Sequence, residues 1–245
     1  MQRVAFITPD WPAPSTVRAA STLRSGGVSQ RPFDDLNLAA HVGDDPKAII
    51  DNRSILRAAL NLPNEPCWLD QVHGDAVVDA GDWTQPKRAD ACIARNAKHV
   101  CAVLTADCLP VLFCNRDGDR VAAAHCGWRG LAAGILEKTI DALDVPTSDL
   151  IAWFGPAISQ PAFEVGDDVR SAFLAHDLRN TDAFIANARG RWQCDLYELA
   201  RRSLFRLGIH EIHGGGFCTF AERERFFSYR RDGQCGRMAT LIWLA

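Results

Sequence analysis

The stretch from Thr105 to Gly130 constrains the fold more than any other part of the sequence. It reads TADCLPVLFCNRDGDRVAAAHCGWRG, with two apolar runs separated by a polar segment that contains an Asp-Gly pair. Short apolar runs bounded by turn residues are typical of buried strands, and Asp-Gly is typical of a two-residue hairpin turn. The sequence therefore predicts an antiparallel hairpin that turns at Asp117 and Gly118.

The register of this hairpin decides which side chains share a face. A two-residue turn places residue 110 opposite residue 125, and residue 108 opposite residue 127. Because side chains alternate between the two faces of a strand, Cys108 and His125 then share one face near the open end, and Cys126 points to the other. Cys108 and His125 are predicted to lie close enough to share a metal ion or to pair as thiolate and imidazolium. A slip of one residue would separate them.

A third metal ligand is needed, and His73 in the sequence QVHG is the best candidate. Two histidines and one cysteine would give Zn²⁺ three protein ligands and leave a fourth position for water or substrate, which is the arrangement of catalytic sites. We therefore predict His73, Cys108 and His125 as both metal ligands and catalytic residues. His41 remains an alternative ligand, although a cap of the following turn is the simpler interpretation. Cys108 taken alone would be interpreted as a buried structural residue.

The segment GWRG leads from the hairpin into a predicted helix, and such a junction presents free N–H groups to a bound molecule. Arg129 in this segment is well placed to bind an anionic group such as phosphate.

The remaining pattern predicts an α/β (α+β) fold, a single layered domain over 1–245 with mixed β-sheets flanked by helices. Periodicity and capping residues predict helices at 44–60, 129–143, 165–176 and 194–208. Strand-like runs lie at 3–7, 67–73, 76–79, 100–104, 110–115, 120–126, 150–154, 226–230 and 239–244. We see no internal repeat and no linker long enough to divide the chain.

Composition restricts the compartment and the partners. The formal net charge is −3, which does not favour nucleic acid, and no apolar run is long enough to predict a membrane span. The N-terminal sequence does not resemble a signal peptide, and nine cysteines without a C-x-x-C pair do not suggest a disulfide framework. We expect a cytoplasmic monomer that acts on a small molecule.

Ten motifs, distributed in order along nearly the whole chain, resemble the bacterial laccase-domain family. They are TLRSGGVS, FDDLNLAAHVGDDP, QVHG, RADA, TADCLPVLF, AAAHCGWRG, GPAI, FEVGDDV, FCTF and FFSYRRDG. Members are variously described as polyphenol oxidase, purine nucleoside phosphorylase and peptidoglycan editing factor. The resemblance implies a fold shared with cysteine-hydrolase-like toxins and a zinc site at His73, Cys108 and His125. Cys126 stands where the family usually has alanine, and we expect it to pack away from the site.

The function that the resemblance favours is zinc-dependent phosphorolysis of adenosine, inosine and methylthioadenosine, with adenosine deamination as a second activity. Arg129 and Arg24 are the candidate phosphate ligands. Glu164 is a candidate substrate ligand. It is also the alternative proton carrier to Asp107, which adjoins Cys108 but is expected to face away from the site.

Two alternatives belong to other classes. One is a hydrolase that removes misincorporated L-serine from a peptidoglycan precursor, UDP-MurNAc-L-Ser, with Cys108 or activated water as nucleophile. The other is a copper-dependent polyphenol oxidase (laccase). Seven histidines without an H-x-H pair argue against a multicopper site, although copper could occupy the His₂Cys site.

Overall fold

The computed structural model describes residues 4–82 and 88–245. Its strands are β1 (Phe6–Ile7), β2 (Val17–Thr22), β3 (Val77–Asp79), β4 (Ala91–Ala94), β5 (Val100–Thr105), β6 (Leu109–Asn115), β7 (Val121–Cys126), β8 (Leu150–Phe154), β9 (Glu164–Val165), β10 (Phe184–Ala186), β11 (Trp192–Cys194), β12 (Ile212–Gly214) and β13 (Met238–Leu244). Its helices are α1 (Pro46–Leu60), α2 (Trp128–Ala133), α3 (Ile135–Leu143), α4 (Asp167–His176), α5 (Leu196–Arg206) and α6 (Tyr229–Asp232).

Two sheets form the centre of the molecule. One has the order β1-β2-β13-β5 and is antiparallel throughout, whereas the other has the order β12-β8-β6-β7-β4-β3 and mixes parallel with antiparallel pairs. A three-stranded sheet, β10-β11-β9, completes the fold. The predicted α/β (α+β) class with mixed sheets and helices is therefore confirmed.

The buried residues show how these sheets and helices are layered. One apolar cluster lies between the two large sheets, where Val103 and Ile242 meet Leu112 and Trp153. A second cluster packs the opposite face of the six-stranded sheet against α3, α4 and α5, and a third packs α1 against the outer face of the four-stranded sheet. Strands β4, β5, β6, β7, β8 and β13 are buried along their whole length, and the covering of both faces explains why they are largely apolar.

The central hairpin has the predicted register. Pro110 pairs with His125 and Leu109 pairs with Cys126, as a turn centred on residues 117 and 118 requires. The loop is wider than the predicted two-residue turn, because the strands end at Asn115 and Val121. The side-chain oxygen of Asn115 accepts hydrogen bonds from the N–H groups of Asp119 and Arg120, at 3.1 and 2.9 Å, and so closes the longer loop.

Several predicted elements differ from the structure. Residues 67–73 form only isolated bridges at Cys67 and Asp70, and residues 226–230 lead into α6 instead of forming a strand. Among the strands that the structure describes, six were not predicted: β2 mixes polar with small residues, and β4, β9, β10, β11 and β12 are at most four residues long. The predicted helix at 129–143 is two helices that meet at Gly134, whose φ of 94° lies in the left-handed region. The start of the run at 3–7 lies outside the described residues.

Cys126 is fully buried in the cluster beneath the helices, on the face of β7 opposite to that of His125, as predicted. Cys108 and Cys126 are both free thiols. In the described part of the chain, no helix combines the length and apolar character needed to cross a bilayer.

Candidate metal centre

His73, Cys108 and His125 converge at the open end of the central hairpin. Cys108 immediately precedes β6, His125 lies in β7, and His73 lies in the segment before β3. Their candidate ligand atoms all lie within 4.8 Å of one another. The distance from Cys108 Sγ to His73 Nε2 is 3.9 Å, and the two imidazole ring centres are 4.8 Å apart. Since Zn–N and Zn–S bonds measure about 2.0 to 2.3 Å, one ion fits between the three donors after a small side-chain movement.

Asp90 organises this centre from beneath. Its buried carboxylate lies 2.7 Å from Nδ1 of His125, which directs Nε2 of the same ring away from Asp90. The same carboxylate accepts hydrogen bonds from the backbone N–H groups of Val72, His73 and Gly74, at 3.2, 2.9 and 2.7 Å. One side chain therefore fixes the ring of one ligand and the backbone of another, a role typical of carboxylates behind metal-binding histidines.

The backbone around His73 is unusual, since this residue has a φ of 60°. A non-glycine residue in the left-handed region needs support from its surroundings. Gln71 supplies part of that support by bonding both the N–H and the carbonyl of Leu104 in β5, at 2.7 and 2.9 Å. The QVHG segment is thus attached to the sheet through side chains, which explains why it is well placed without being a strand.

Gly127 permits the close approach of the three ligands. A Cβ atom at this position would lie 2.9 Å from Cδ2 of His73, 3.1 Å from Sγ of Cys108 and 3.7 Å from Cε1 of His125. Gly130 serves a similar purpose one helical turn later, where a Cβ would lie 2.6 Å from the carbonyl oxygen of Gly74. These contacts explain both glycines of the GWRG motif.

The charges of the centre are coupled. Burial alone would raise the pKa of the Cys108 thiol, but the charge of His125 and hydrogen bonds from His125 and His73 lower that pKa to about 6. Burial alone would lower the pKa of His125, but the Cys108 thiolate and the Asp90 carboxylate raise it to about 9. The thiolate is the form in which cysteine binds a transition metal, whereas the imidazolium of His125 would release its proton when a metal binds.

A cavity of about 520 Å³ opens above the three ligands. Its volume lies within the range of roughly 300–1,000 Å³ that is usual for small-molecule sites. The apolar part of its wall includes Leu104, Ile158, Phe163 and Leu196. Its polar part, besides the three ligands, is formed by His41, Gln71, Thr105, Asp107, Arg129, Tyr229, Arg230 and Arg237. We call this space the site cavity.

The other predicted site residues occupy different places. Arg129 lines the site cavity. Arg24 does not; its guanidinium donates to the carbonyl oxygens of Asp34 and Arg223 and lies 4.8 Å from the ring centre of Phe227. Substrate binding by Arg24 stays a prediction to which this arrangement lends no support.

Glu164 also lies outside the cavity lining. Its carboxylate accepts from Asn187 at 2.7 Å and forms an ion pair with Arg189 at 2.5 Å. Its backbone carbonyl oxygen, however, accepts from the guanidinium of Arg230 at 2.9 Å, so Glu164 contacts a residue of the cavity wall. Its role as a direct substrate ligand stays a prediction.

Asp107 marks the crossing of the chain from β5 in one large sheet to β6 in the other. It has a φ of 94°, its carboxylate accepts from Thr219 Oγ1 at 2.6 Å and from the N–H of Arg230 at 2.7 Å, and its carbonyl accepts from Ile158. These contacts hold the crossing in place, and the next residue, Cys108, is thereby positioned between the sheets.

Sequence reasoning missed Asp90, Arg230 and Arg237. An aspartate between alanines in RADA is a signal that could have revealed Asp90, because a carboxylate in such surroundings must have hydrogen-bond partners. Arg230 and Arg237 carried no comparable signal, since the sequence contains many arginines in loops.

The fold and the site together define a class of protein. A layered α/β protein places an open centre of two histidines and one cysteine at the end of a buried hairpin, with a small-molecule cavity above it. Proteins of this class can bind a metal through three side chains and leave a coordination position free.

Comparison with known proteins specifies the family. The sequence model of a family described as multi-copper polyphenol oxidoreductase laccase matches residues 18–245, and the chain belongs to this family. A Pseudomonas aeruginosa protein named purine nucleoside phosphorylase is 55% identical over 241 residues, and the match covers 98% of each chain. An Escherichia coli protein of the same name is 52% identical over 240 residues, again with 98% of each chain covered.

Solved structures agree with this assignment. The crystal structure of a Neisseria meningitidis protein superimposes with a TM-score of 0.95 at 50% sequence identity, covering 98% of each chain. A Geobacillus stearothermophilus protein gives a TM-score of 0.87 at 30% identity, covering 95% of this chain and 93% of the other.

Proposed function

We propose that this protein is a zinc-dependent purine nucleoside phosphorylase that acts on adenosine, inosine and methylthioadenosine. The observation that carries the proposal is the open His73–Cys108–His125 centre at the base of a cavity large enough for a nucleoside. The names of relatives that are 46–55% identical over nearly the full chain support the same reaction. In it, a phosphate oxygen forms a bond to C1′ of the ribose while the bond from C1′ to the purine nitrogen breaks. The purine leaves with the bonding electrons and takes up a proton.

Zinc held by His73, Cys108 and His125 would supply a Lewis acid that polarises a bound oxygen and withdraws charge from it. Asp90 bonds Nδ1 of His125, so Nε2 is the ring nitrogen that would bind the metal once its proton is released. The apolar wall, with Ile158, Phe163 and Leu196, excludes water and offers flat surface to a purine.

We include adenosine deamination in the proposal as a second activity of the same centre. It requires a group that moves protons, and the two carboxylates predicted for this task already have partners. Asp107 is bonded to Thr219 and Arg230, and Glu164 to Asn187 and Arg189. These contacts give deamination less support than phosphorolysis.

A second candidate function rests on one geometric feature. Cys108, His125 and Asp90 stand in the order of a nucleophile, a base and a carboxylate that orients the base. Such a set could hydrolyse a short amide, as in the removal of L-serine from UDP-MurNAc-L-Ser. We do not propose polyphenol oxidation, because residues 4–82 and 88–245 contain one group of three candidate metal ligands, and a multicopper oxidase needs several.

We also propose a cytoplasmic, monomeric protein that binds neither nucleic acid nor membrane. Nine cysteines without a C-x-x-C pair suit a reducing compartment, and all three candidate ligands come from one chain.

The test starts with protein purified without added metal. Its zinc and copper are quantified, and the protein is then incubated with adenosine and phosphate before the products are separated. About one zinc per chain, with release of adenine and ribose 1-phosphate, is the expected result. Inosine as a further product would establish the deaminase activity. Both activities and the retained zinc should be lost in Cys108→Ala and His125→Ala.

Other outcomes discriminate between the candidates. Retained zinc without nucleoside turnover, together with release of L-serine from UDP-MurNAc-L-Ser, would replace the proposal by the hydrolase. Full phosphorolysis in metal-free protein, or in Cys108→Ala, would exclude zinc chemistry. Cys126→Ala serves as the matched control, because this thiol is buried on the opposite face of β7. It should retain both zinc and activity.

A further inference from the structure

Three arginines line the site cavity, and none of them forms an ion pair with another residue that the structure describes. They are Arg129, Arg230 and Arg237. Among the described residues, most ion pairs are made by arginines elsewhere on the surface, such as Arg88 with Asp70 and Arg201 with Glu198. The one carboxylate in the cavity wall, that of Asp107, is used by Thr219 and by the backbone of Arg230. The cavity thus has an excess of positive charge without a matching carboxylate.

Arg230 is the best positioned of the three. Asp107 holds its backbone N–H, the carbonyl oxygen of Glu164 accepts one guanidinium nitrogen at 2.9 Å, and the guanidinium lies 5.3 Å from the ring centre of Phe163. Within residues 4–82 and 88–245, these contacts use only Nη1 of the guanidinium, so the N–H groups on Nε and Nη2 are available to a ligand. A guanidinium held in this way is prepared to bind an oxyanion through two parallel hydrogen bonds.

The other two guanidiniums are also available. That of Arg129 makes no hydrogen bond within the described part of the chain and lies 4.5 Å from the ring centre of Trp128. That of Arg237 donates through Nη1 to the carbonyl oxygens of Cys235 and Gly236, and its other nitrogens have no hydrogen-bond partner among the residues the structure describes. The pKa of His41, which shares the cavity wall, is lowered mainly by partial burial and then by the charge of Arg237.

We propose that Arg129, Arg230 and Arg237 form an oxyanion subsite of the site cavity, which takes the phosphate that attacks the nucleoside. The assignment deepens the function proposed above and rests on it, because it supplies the phosphate site that phosphorolysis requires. Phosphate fits this subsite better than a carboxylate does, since its three terminal oxygens can each accept from a different guanidinium. The subsite replaces Arg24, whose guanidinium bonds protein carbonyls outside the cavity.

Direct titration with inorganic phosphate tests the subsite without depending on catalysis. Calorimetry on the zinc-loaded protein should detect one phosphate site, with sulfate as a competitor. Arg230→Gln and Arg129→Gln should each weaken phosphate binding roughly 10- to 100-fold, because each loses charged hydrogen bonds. Arg191→Gln removes an exposed arginine outside the cavity and should bind phosphate as the wild type does. Unchanged phosphate affinity in all three cavity variants, including Arg237→Gln, would overturn the subsite.

Kinetics separate this inference from the proposed function. If phosphorolysis occurs, the KM for phosphate should rise in Arg230→Gln by a factor similar to the loss of affinity, while the KM for adenosine changes little. Turnover with an unaltered KM for phosphate in all three variants would overturn the subsite and leave the function intact. Arginine-dependent phosphate binding without any turnover would leave the subsite intact and overturn the function.

The last measurement uses a nucleoside monophosphate, AMP. Its phosphate group could bind the same arginines as part of the substrate, in place of free phosphate. AMP that binds at least tenfold more tightly than both adenosine and phosphate, and loses that advantage in Arg230→Gln, would overturn the assignment to free phosphate. AMP that binds no better than adenosine would support it.

Discussion

Four hydrogen bonds meet on the carboxylate of Asp90, three from backbone N–H groups and one from His125. A buried carboxylate is costly to desolvate, and these donors compensate the cost. They lower the pKa of Asp90 although burial alone would raise it. The same contacts fix two of the three candidate ligands, so loss of the charge should be felt first in metal binding.

We expect Asp90→Asn to weaken zinc binding roughly 10- to 100-fold, the usual effect of removing a carboxylate behind a metal-binding histidine. The amide has the same size but replaces one accepting oxygen with an N–H donor. Part of the hydrogen bonding to His125 and to the backbone of residues 72–74 is therefore lost. Zinc affinity is measured by competition with a chromogenic chelator, on protein shown to be folded by circular dichroism. Asp75→Asn removes a nearby carboxylate that pairs with Lys138 and should leave zinc affinity unchanged. Wild-type affinity in Asp90→Asn would disprove the orienting role.

At the scale of single residues, the sequence revealed the three candidate metal ligands. Cys108 and His125 stood out because the hairpin register placed them on one face, and His73 because it ends a strand-like run before a glycine. Asp90 and Gly127 did not stand out, because their roles depend on neighbours distant in the sequence. A carboxylate that supports three backbone N–H groups, or a missing Cβ that lets three ligands meet, is visible only once those groups are in place.

Gly134 separates two short helices that the periodic pattern predicts as one. It ends α2 by donating to carbonyls of that helix, and its own carbonyl accepts from the N–H of Lys138 in α3. Its φ of 94° lies in a region that a residue with a Cβ rarely adopts. The nearest atom to a Cβ at this position, Oε2 of Glu137, would lie 3.6 Å away, which is an ordinary contact distance. Conformation alone therefore requires glycine here.

We expect Gly134→Ala to lower the free energy of unfolding by about 1–2 kcal/mol, the cost of holding a residue with a Cβ in the left-handed region. Gly134→Asn should lose less, because asparagine tolerates this conformation better. Urea denaturation of the two variants measures the difference. Both should keep wild-type zinc content, since Gly134 does not line the site cavity. Equal stability of glycine, alanine and asparagine at this position would contradict the explanation.

At the scale of elements, the strongly patterned segments were predicted well. Helices α1, α4 and α5 and the hairpin β6–β7 follow the predicted ranges because their signals are local: caps, spacing and turn residues. The segment at 67–73 has apolar residues in a strand-like pattern but is held by side-chain bonds from Gln71 and by single bridges. Strand pairing depends on available partners, which a local pattern does not contain.

The whole molecule places its centre where the chain crosses from one sheet to the other. Strand β5 belongs to the four-stranded sheet and β6 to the six-stranded sheet, and Cys108 lies on the connection between them. The sequence predicted layered sheets flanked by helices, but it could not show that β5 and β6 belong to different sheets. Since both sheets and the helices contribute to shared apolar clusters, we propose that residues 1–245 unfold as one unit.

We expect metal-free protein to unfold in urea in a single transition, at the same midpoint by tryptophan fluorescence and by far-ultraviolet circular dichroism. The layers share their cores, so none can lose its packing while the others persist. Zinc should raise the midpoint, because it binds the folded centre. At a free zinc concentration 100 times the dissociation constant, binding adds about 2.7 kcal/mol to the free energy of unfolding. Cys108→Ala should unfold in one transition without this gain, which separates the specific site from zinc bound by other thiols. Two transitions in the metal-free protein would show that the sheets fold independently and would disprove the single unit.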